Sequence, residues 1–372
     1  MLLSLFFACG PEAEKIEPEP SCDPSIDRDC DGVLTADDCN DVDPSSTTLA
    51  TDGDCDGVLT ADDCDDHDSA SLTRAEDGDC DGVLTADDCD DEDASLPSNL
   101  NDLDCNEILD NELISLGKAY TCVVDNTDAI VCWGYDAEER LDAPEGAFST
   151  ISVGDTHACG FDMDSNLHCW GNDDFGQSSL FYGVLEKVSA GGQHTCAVEN
   201  TGILQCFGHN DHDQVSPPIG SFLQVSSGAT NSCGIDTVNA LHCWGNNSYG
   251  QSNAPEGSFS QVSAGAYHTC AIDLSGSVQC WGANASGQAN SPEGKFLQIS
   301  LGDEHSCGIN ELKSIHCWGS NVHGQSTSPE GVFIQVSAGG SHSCAIDVDG
   351  LVHCWGNDLF GQASVPEGLS ID

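Results

Sequence analysis

Residues 264–282 read Ala-Gly-Ala-Tyr-His-Thr-Cys-Ala-Ile-Asp-Leu-Ser-Gly-Ser-Val-Gln-Cys-Trp-Gly, and their pattern decides the fold. In Cys270-Ala-Ile272 and in Val278-Gln-Cys280 the apolar residues sit two apart, the period of a strand. The stretch between them, Asp273-Leu-Ser-Gly276, is a turn. If Ile272 faces Val278 in an antiparallel pair, Cys270 faces Cys280 in the same register, and both pairs share one face of a hairpin. A cross-strand disulfide there closes a loop of about ten residues and stabilises by roughly 2–3 kcal/mol. Zinc is the competing use of paired thiols, but this spacing lacks the C-x2-C knuckle of a zinc site.

The same arithmetic recurs along the chain. Cys122, Cys159, Cys196, Cys233, Cys270, Cys307 and Cys344 step by 37 residues, as do Cys132, Cys169, Cys206, Cys243, Cys280, Cys317 and Cys354. Seven hairpin disulfides follow from that phasing. Tryptophan follows the second cysteine in six copies, and Phe207 takes its place in the third. Gly117, Gly154, Gly191, Gly228, Gly265, Gly302 and Gly339 keep the same step. Seven units of 37 residues with short strands and Gly-rich turns predict an all-β fold, a seven-bladed β-propeller with one hairpin disulfide per blade over residues 113–372. The first strand, near Leu113 to Leu116, enters partway into the unit, and the chain ends partway, at residues 366–372. The ring is therefore expected to close by combining strands from both ends.

The motifs A-G-x-x-H-T-C-A-I and C-W-G-x-N-x-x-G-Q resemble the regulator-of-chromosome-condensation repeat family. That resemblance implies a seven-bladed propeller. The paired cysteines depart from the family toward an exported subtype, and the compact repeat is closer in length to secreted bacterial members, among them a β-lactamase inhibitor protein of this fold. The family's exchange-factor and chromatin activities belong to a nuclear setting. Residues 113–372 hold 29 acidic against 5 basic residues, a field that repels phosphate backbones. Neither a nucleic acid nor a small GTPase is expected as partner, since fold does not bring function with it.

A second repeat precedes the first. Residues 27–39, 52–64 and 77–89 are near copies, 25 residues apart. Each sets alternating aspartates before a glycine, the D-x-D-x-D-G order of a calcium loop. The first loop offers Asp27, Asp29, Asp31, the Val33 carbonyl, Thr35 and Asp38. The second offers Asp52, Asp54, Asp56, Val58, Thr60 and Asp63, and the third Asp77, Asp79, Asp81, Val83, Thr85 and Asp88. Calcium wants six to eight hard oxygens, and glycine permits the sharp turn. No amphipathic helix flanks the loops, so they are not paired EF-hands. They resemble thrombospondin type 3 and related acidic calcium repeats, irregular and cysteine-stapled, over residues 22–112. Pairing of their eight cysteines is open. The regular choice is Cys22–Cys30, Cys39–Cys55, Cys64–Cys80 and Cys89–Cys105. Residues 1–112 carry 35 acidic and 3 basic residues, and their self-repulsion is relieved by bound cations.

The chain opens MLLSLFFACG, an apolar run ending at Cys9. Residues 1–9 resemble a bacterial lipoprotein signal, with Cys9 as the lipidated residue; an ordinary cleaved secretion signal is the alternative. Residues 10–21, rich in Pro and Glu, read as a disordered tether. Over the whole chain 23 cysteines point to an oxidising compartment, and a net charge of -56 attracts divalent cations.

Several side chains invite chemistry. His157, His194, His268, His305 and His342 recur before the first cysteine, with Tyr120 and Asn231 in the other two copies. They are expected to make hydrogen bonds inside each blade rather than a metal ring. His168, His242, His316 and His353 read as strand-surface positions, the tryptophans as packing between blades, and the Gly-Gln pairs as turns. Departures from the repeat are better functional candidates. His209, Asp211, His212 and Asp213 form a candidate ligand loop in the third copy. Tyr135-Asp-Ala-Glu-Glu-Arg140 replaces N-x-x-G-Q in the first, and residues 179–183 form an apolar loop that reads as a partner contact.

These readings converge on an exported, surface-anchored binding or scaffold protein. A calcium-stiffened stalk presents a propeller that binds an extracellular protein or glycan, and the membrane is met only through the lipid anchor. The alternatives are a hydrolase or lyase acting on extracellular polysaccharide, and an inhibitor of a secreted enzyme. An enzyme would need non-repeated polar residues clustered at one end of the central channel.

Overall fold

The hairpin expected from residues 270–280 is present in the computed structural model. His268–Asp273 and Val278–Gly282 pair antiparallel, with Cys270 opposite Cys280 and Ile272 opposite Val278. The structure describes residues 33–34, 36–40, 43, 46, 48–50, 52–53, 55, 58–61, 63–65, 67, 73, 112–179 and 183–371. The chain divides into two compact units, 1–100 and 101–372.

In the second unit, each 37-residue repeat folds as one three-stranded antiparallel sheet, giving seven blades: 114–134, 148–171, 185–208, 222–245, 259–282, 296–319 and 333–356. The inner strand of blade 5, Phe259–Ala264, pairs with the middle strand, and the middle with the outer. All seven hairpin disulfides form, with Cα atoms 4.0–4.1 Å apart. Such close approach is that of directly opposed residues at a non-hydrogen-bonded pair, where Cβ atoms also lie nearest.

Middle strands are buried along almost their whole length, because neighbouring blades cover both faces. Small residues make that packing possible. A Cβ on Gly117, Gly154, Gly191, Gly228, Gly265, Gly302 or Gly339 would strike the carbonyl oxygen of the next blade's glycine, and the series returns from Gly339 to Gly117. The recurring glycine is thus the innermost ring of the propeller. The serine two residues before it caps the next blade. Ala264 N donates to Ser226 Oγ at 3.0 Å, Leu301 N to Ser263 Oγ at 3.2 Å and Ala338 N to Ser300 Oγ at 2.9 Å. Inner-strand amides that no strand pairs are satisfied in this way.

The ring closes differently from the sequence expectation. Among the described residues no strand is shared between the two ends: the first and last sheets are each built from contiguous chain. Closure is by side-chain packing and edge bonds. Cys344, Ile346 and Ile371 share a core with Tyr120, Val123 and Phe148. Leu113 N donates to Gln335 Oε1 at 3.0 Å, and Gly340 N to Gly117 O at 3.2 Å. The tail beyond blade 7 runs across the join, where Ile371 N donates to Gly350 O and Asn126 N donates to Ser370 O. Each blade already satisfies its own ladder, so a shared strand is not needed.

The first unit is built on the opposite plan. The Cys39–Cys55 disulfide is present and Cys64 is disulfide-bonded. Isolated bridges pair Asp38 with Thr48 and Asp63 with Thr73, so the 25-residue period is kept in structure. Among the described residues no apolar side chain before Leu113 is buried, and Leu34, Leu49 and Leu59 are exposed, whereas Asp52 and Asp63 are buried.

Candidate binding face

Blades are joined by a repeated relay. His194 Nε2 meets Ser232 Oγ of the next blade at 2.8 Å, and that hydroxyl donates to the Gln214 carbonyl at 3.3 Å. The same relay runs from His157 to Thr195, His268 to Ser306, His305 to Ser343 and, across the ring closure, His342 to Thr121. Because the hydroxyl proton goes to the carbonyl, the imidazole must donate from Nε2, and Nδ1 is left as a buried, unprotonated acceptor. Burial lowers these imidazoles, His157 and His305 to about 4 and His194, His268 and His342 to about 3. The bonds therefore cross between blades and are not internal to one, as the sequence had suggested.

Two junctions lack the relay. At the first, Tyr120 OH donates to the His157 carbonyl at 2.7 Å and Ala158 stands at the hydroxyl position. Arg140, at the usual glutamine position, lies over the Tyr120 ring at 5.5 Å and donates to the Asp155 carbonyl at 3.1 Å. At the second, Asn231 is fully buried with neither side-chain Oδ1 nor Nδ2 bonded.

The Gly-Gln glutamines are more than turn residues. They are almost wholly buried, and their carbonyls accept both the relay hydroxyl and the indole N–H of the next blade. Trp281 Nε1 donates to Gln251 O at 2.8 Å and Trp244 Nε1 to Gln214 O at 2.8 Å. The tryptophans are thus pinned between blades, as expected, by a polar handle on an apolar body.

The propeller has two unlike ends. Outer strands exit beside the loops that follow the glycine ring: Asn246 N donates to Thr230 O, Ala283 N to Tyr267 O and Ser320 N to Glu304 O. Channel loops and exit loops therefore share one end. The hairpin turns occupy the other, and three blades share one arrangement there. Asp162, Asp236 and Asp347 each accept turn amides and a histidine Nε2, from His168 at 2.8 Å, His242 at 2.9 Å and His353 at 2.6 Å. The Asn166 amide and His168 hold the Asp162 carboxyl down to about 2. These histidines, half-exposed, are tied to their turns and meet Phe148, Phe222 and Phe333 edge-on.

Irregularity collects at the channel end. A cavity of about 90 Å³ at the channel mouth is lined by the loops after the glycine ring. The position following the glycine reads Lys118, Asp155, Gly192, Ala229, Ala266, Asp303 and Gly340. Two non-repeated carboxyls thus line one channel. Burial, and then the Asp155 charge, push Asp303 up to about 6. Burial also raises Asp155, against the pull of Lys118 and Arg140. Around the mouth three aromatic pairs bridge blade junctions: Tyr135 with Phe360 at 4.7 Å, Phe175 with His209 at 4.6 Å and Tyr249 with Tyr267 at 5.5 Å.

The candidate loop of the third copy belongs to this end. His209 Nδ1 accepts from Gln214 Nε2 (3.1 Å), and its Nε2 pairs with Asp211 at 3.2 Å. His212 N donates to Gln214 Oε1, and Asp213 has a left-handed φ of 62°. The loop's side chains serve packing and the turn; among the described residues no three His, Cys, Asp or Glu side chains group as a metal centre. Sequence reasoning passed over Lys118, Asp155 and Asp303. Their signal was a charge at a position that is otherwise Gly or Ala.

Of the calcium-loop donors, Val33, Asp38, Asp52, Val58, Thr60 and Asp63 are described. Asp27, Asp29, Asp31, Thr35, Asp54, Asp56, Asp77, Asp79, Asp81, Val83, Thr85 and Asp88 lie outside the described residues, as does Cys9. Asp38 Oδ1 accepts from Asn40 N and Ser46 Oγ, while its Oδ2 is buried without a hydrogen bond. A hard cation at this loop would take the Asp38 Oδ2 that has no hydrogen bond.

The Regulator of chromosome condensation (RCC1) repeat model matches residues 148–177, 186–214, 222–251, 259–288, 296–325 and 333–362. Six blades are RCC1 repeats. Blade 1, with Tyr120 and Arg140 at the histidine and glutamine positions, lies outside the matched residues. No curated protein matches the chain. Among solved structures, the entire ectodomain of the Physcomitrella patens receptor kinase CR4 is 25% identical with a TM-score of 0.58, over 66% of this chain and 73% of that one. The CRINKLY WD40 ectodomain of the Arabidopsis thaliana receptor kinase ACR4 is 26% identical with a TM-score of 0.57, over 68% and 98%. Prp20p from Saccharomyces cerevisiae, described with its binding to Gsp1p and histones, is 15% identical with a TM-score of 0.57, over 72% and 87%, and shares the fold alone.

Proposed function

We propose that the protein is an exported, surface-anchored, non-enzymatic binding protein, whose acidic repeats are stiffened by calcium and whose RCC1-repeat propeller binds an extracellular macromolecule through its channel end. One observation carries this reading. Five of the seven blade junctions repeat one relay, while two non-repeated carboxyls and the exposed aromatic pairs gather at the channel end. Seven hairpin disulfides support an oxidising compartment, and two of the similar structures are receptor ectodomains.

The hydrolase or lyase alternative rests on Asp155 and Asp303. Against it, the channel mouth of about 90 Å³ falls well short of the roughly 300–1,000 Å³ of a ligand pocket. It has room for one side chain or ion.

Impermeant labelling of intact cells tests export and anchoring. The protein is expected at the surface with its cysteines oxidised, and Cys9→Ala is expected to release it. Reduced thiols and an intracellular location would overturn the reading. Calorimetric titration of calcium into the oxidised, metal-stripped chain tests the repeats; about three sites are expected, one per loop.

A further inference from the structure

The channel end combines three properties that the turn end lacks. Its mouth holds two carboxyls from different blades, Asp155 and Asp303, with Glu304 beside them. Its rim carries aromatic rings, each at a blade junction; Tyr135, Phe175, Tyr249, Tyr267 and Phe360 remain 41–59% exposed. The exit loops add further acids, among them Glu138, Asp174 and Asp211. Of the cations there, Arg140 is buried and ion-paired with Glu138, which leaves Lys118 as the exposed one.

Aromatic faces and carboxylates attract the same ligand chemistry. A ring's negative face favours ammonium and guanidinium groups, and a partly desolvated carboxylate favours them further. Exposed aromatic patches of this kind mark interaction surfaces. A neutral glycan would donate hydroxyl hydrogen bonds to the carboxyls but draw nothing from their charge, and an anionic one would be repelled. We infer that the channel end docks a Lys/Arg-rich segment of a partner protein, seating one cationic side chain in the channel mouth between Asp155 and Asp303 while others lie on the aromatic pairs. This deepens the binding reading above and rests on it. Lys118, which follows the lining residue Gly117, pulls on both carboxyls electrostatically, so an ammonium group suits that space. The mouth's volume matches one side-chain head, and the spread of rings around it matches a segment rather than a single residue.

The test is fluorescence anisotropy with a labelled octalysine peptide on the full, oxidised, calcium-saturated protein in about 0.15 M salt, where long-range attraction is screened. Asp155→Asn with Asp303→Asn is expected to weaken binding about tenfold. Phe175→Ser with Tyr249→Ser is expected to weaken it about threefold. Asp164→Asn with Asp349→Asn, on exposed turn-end acids, should leave it unchanged. Unaltered melting of each variant establishes that it folds, and a photo-crosslinking octalysine should label the channel and exit loops. Equal losses in all three variants, no loss in any, or crosslinks confined to residues before 112 would overturn the proposal. Capture of a neutral glycan that Phe175→Ser with Tyr249→Ser abolishes would also overturn it, while leaving the binding reading standing.

Discussion

The two repeats of this chain solve one problem by opposite means. Both are tandem units stapled by cysteines, 25 residues long in the first and 37 in the second. In the propeller, apolar residues and neutral histidines fill the space between staples. In the acidic unit, carboxylates go inside and leucines stay outside. A disulfide fixes chain crossings but does not fill the space around them. Packing does that in one unit; in the other, buried carboxylates stand where apolar side chains would. The propeller should therefore fail when its buried groups gain charge, and the acidic unit when its charges lose their partners.

Acid should separate them most. The five relay histidines are neutral in the fold, at about 3–4, against an ordinary 6.5 in the unfolded chain. Their contribution is whole above pH 6.5. It declines as pH falls from there toward 4, because the unfolded chain binds protons that the native one refuses. The melting temperature of the propeller is expected to drop steeply over that window, by up to five protons' linkage. A flat profile between pH 7 and 4.5 would refute the neutral, buried state of the relay histidines.

Metal removal reverses the comparison. Chelation of the oxidised protein should release amide protection in residues 22–112, and leave protection in the propeller's middle strands unchanged, as read by hydrogen exchange. Next in size is the glycine ring. Gly265→Ala sets a Cβ against the Gly302 carbonyl, and overpacking against backbone costs about 2–4 kcal/mol. The expected result is lower propeller melting with unaltered calcium binding. Smallest is a gain. Asn231→His should complete a sixth relay onto Thr269, whose hydroxyl already donates to Gln251 O at 2.9 Å. Removing two orphaned groups and adding one bond should raise stability by about 1 kcal/mol. A fall in melting temperature would show that the junction between blades 4 and 5 has no room for the ring.

Much of this was legible in the chain. The hairpin register, the seven blades and their disulfides follow from alternation and from a period that never slips, because local spacing fixes which side chains share a face. The relay was not legible. His194 and Ser232 are 38 residues apart, and the sequence shows only that both recur, not that one blade's imidazole reaches the next blade's hydroxyl. The glutamines misled for a similar reason: a Gly-Gln pair has turn chemistry locally, yet its carbonyl is spoken for by the neighbouring blade. Asp155 and Asp303 stood out from their columns but lie 148 residues apart, and nothing local joins them.

By itself, then, the sequence determined the strand pattern, the repeat number, the hairpin staples and the sign of the electrostatic field. These depend on residue type and short spacing. The tertiary structure decided which blade each relay joins, how the ring closes without a shared strand, and that two distant carboxyls meet in one channel beneath an aromatic rim. Those depend on curvature. Seven sheets bent into a circle bring together residues from opposite sides of the chain, and the angle between sheets is set by packing that no single repeat contains.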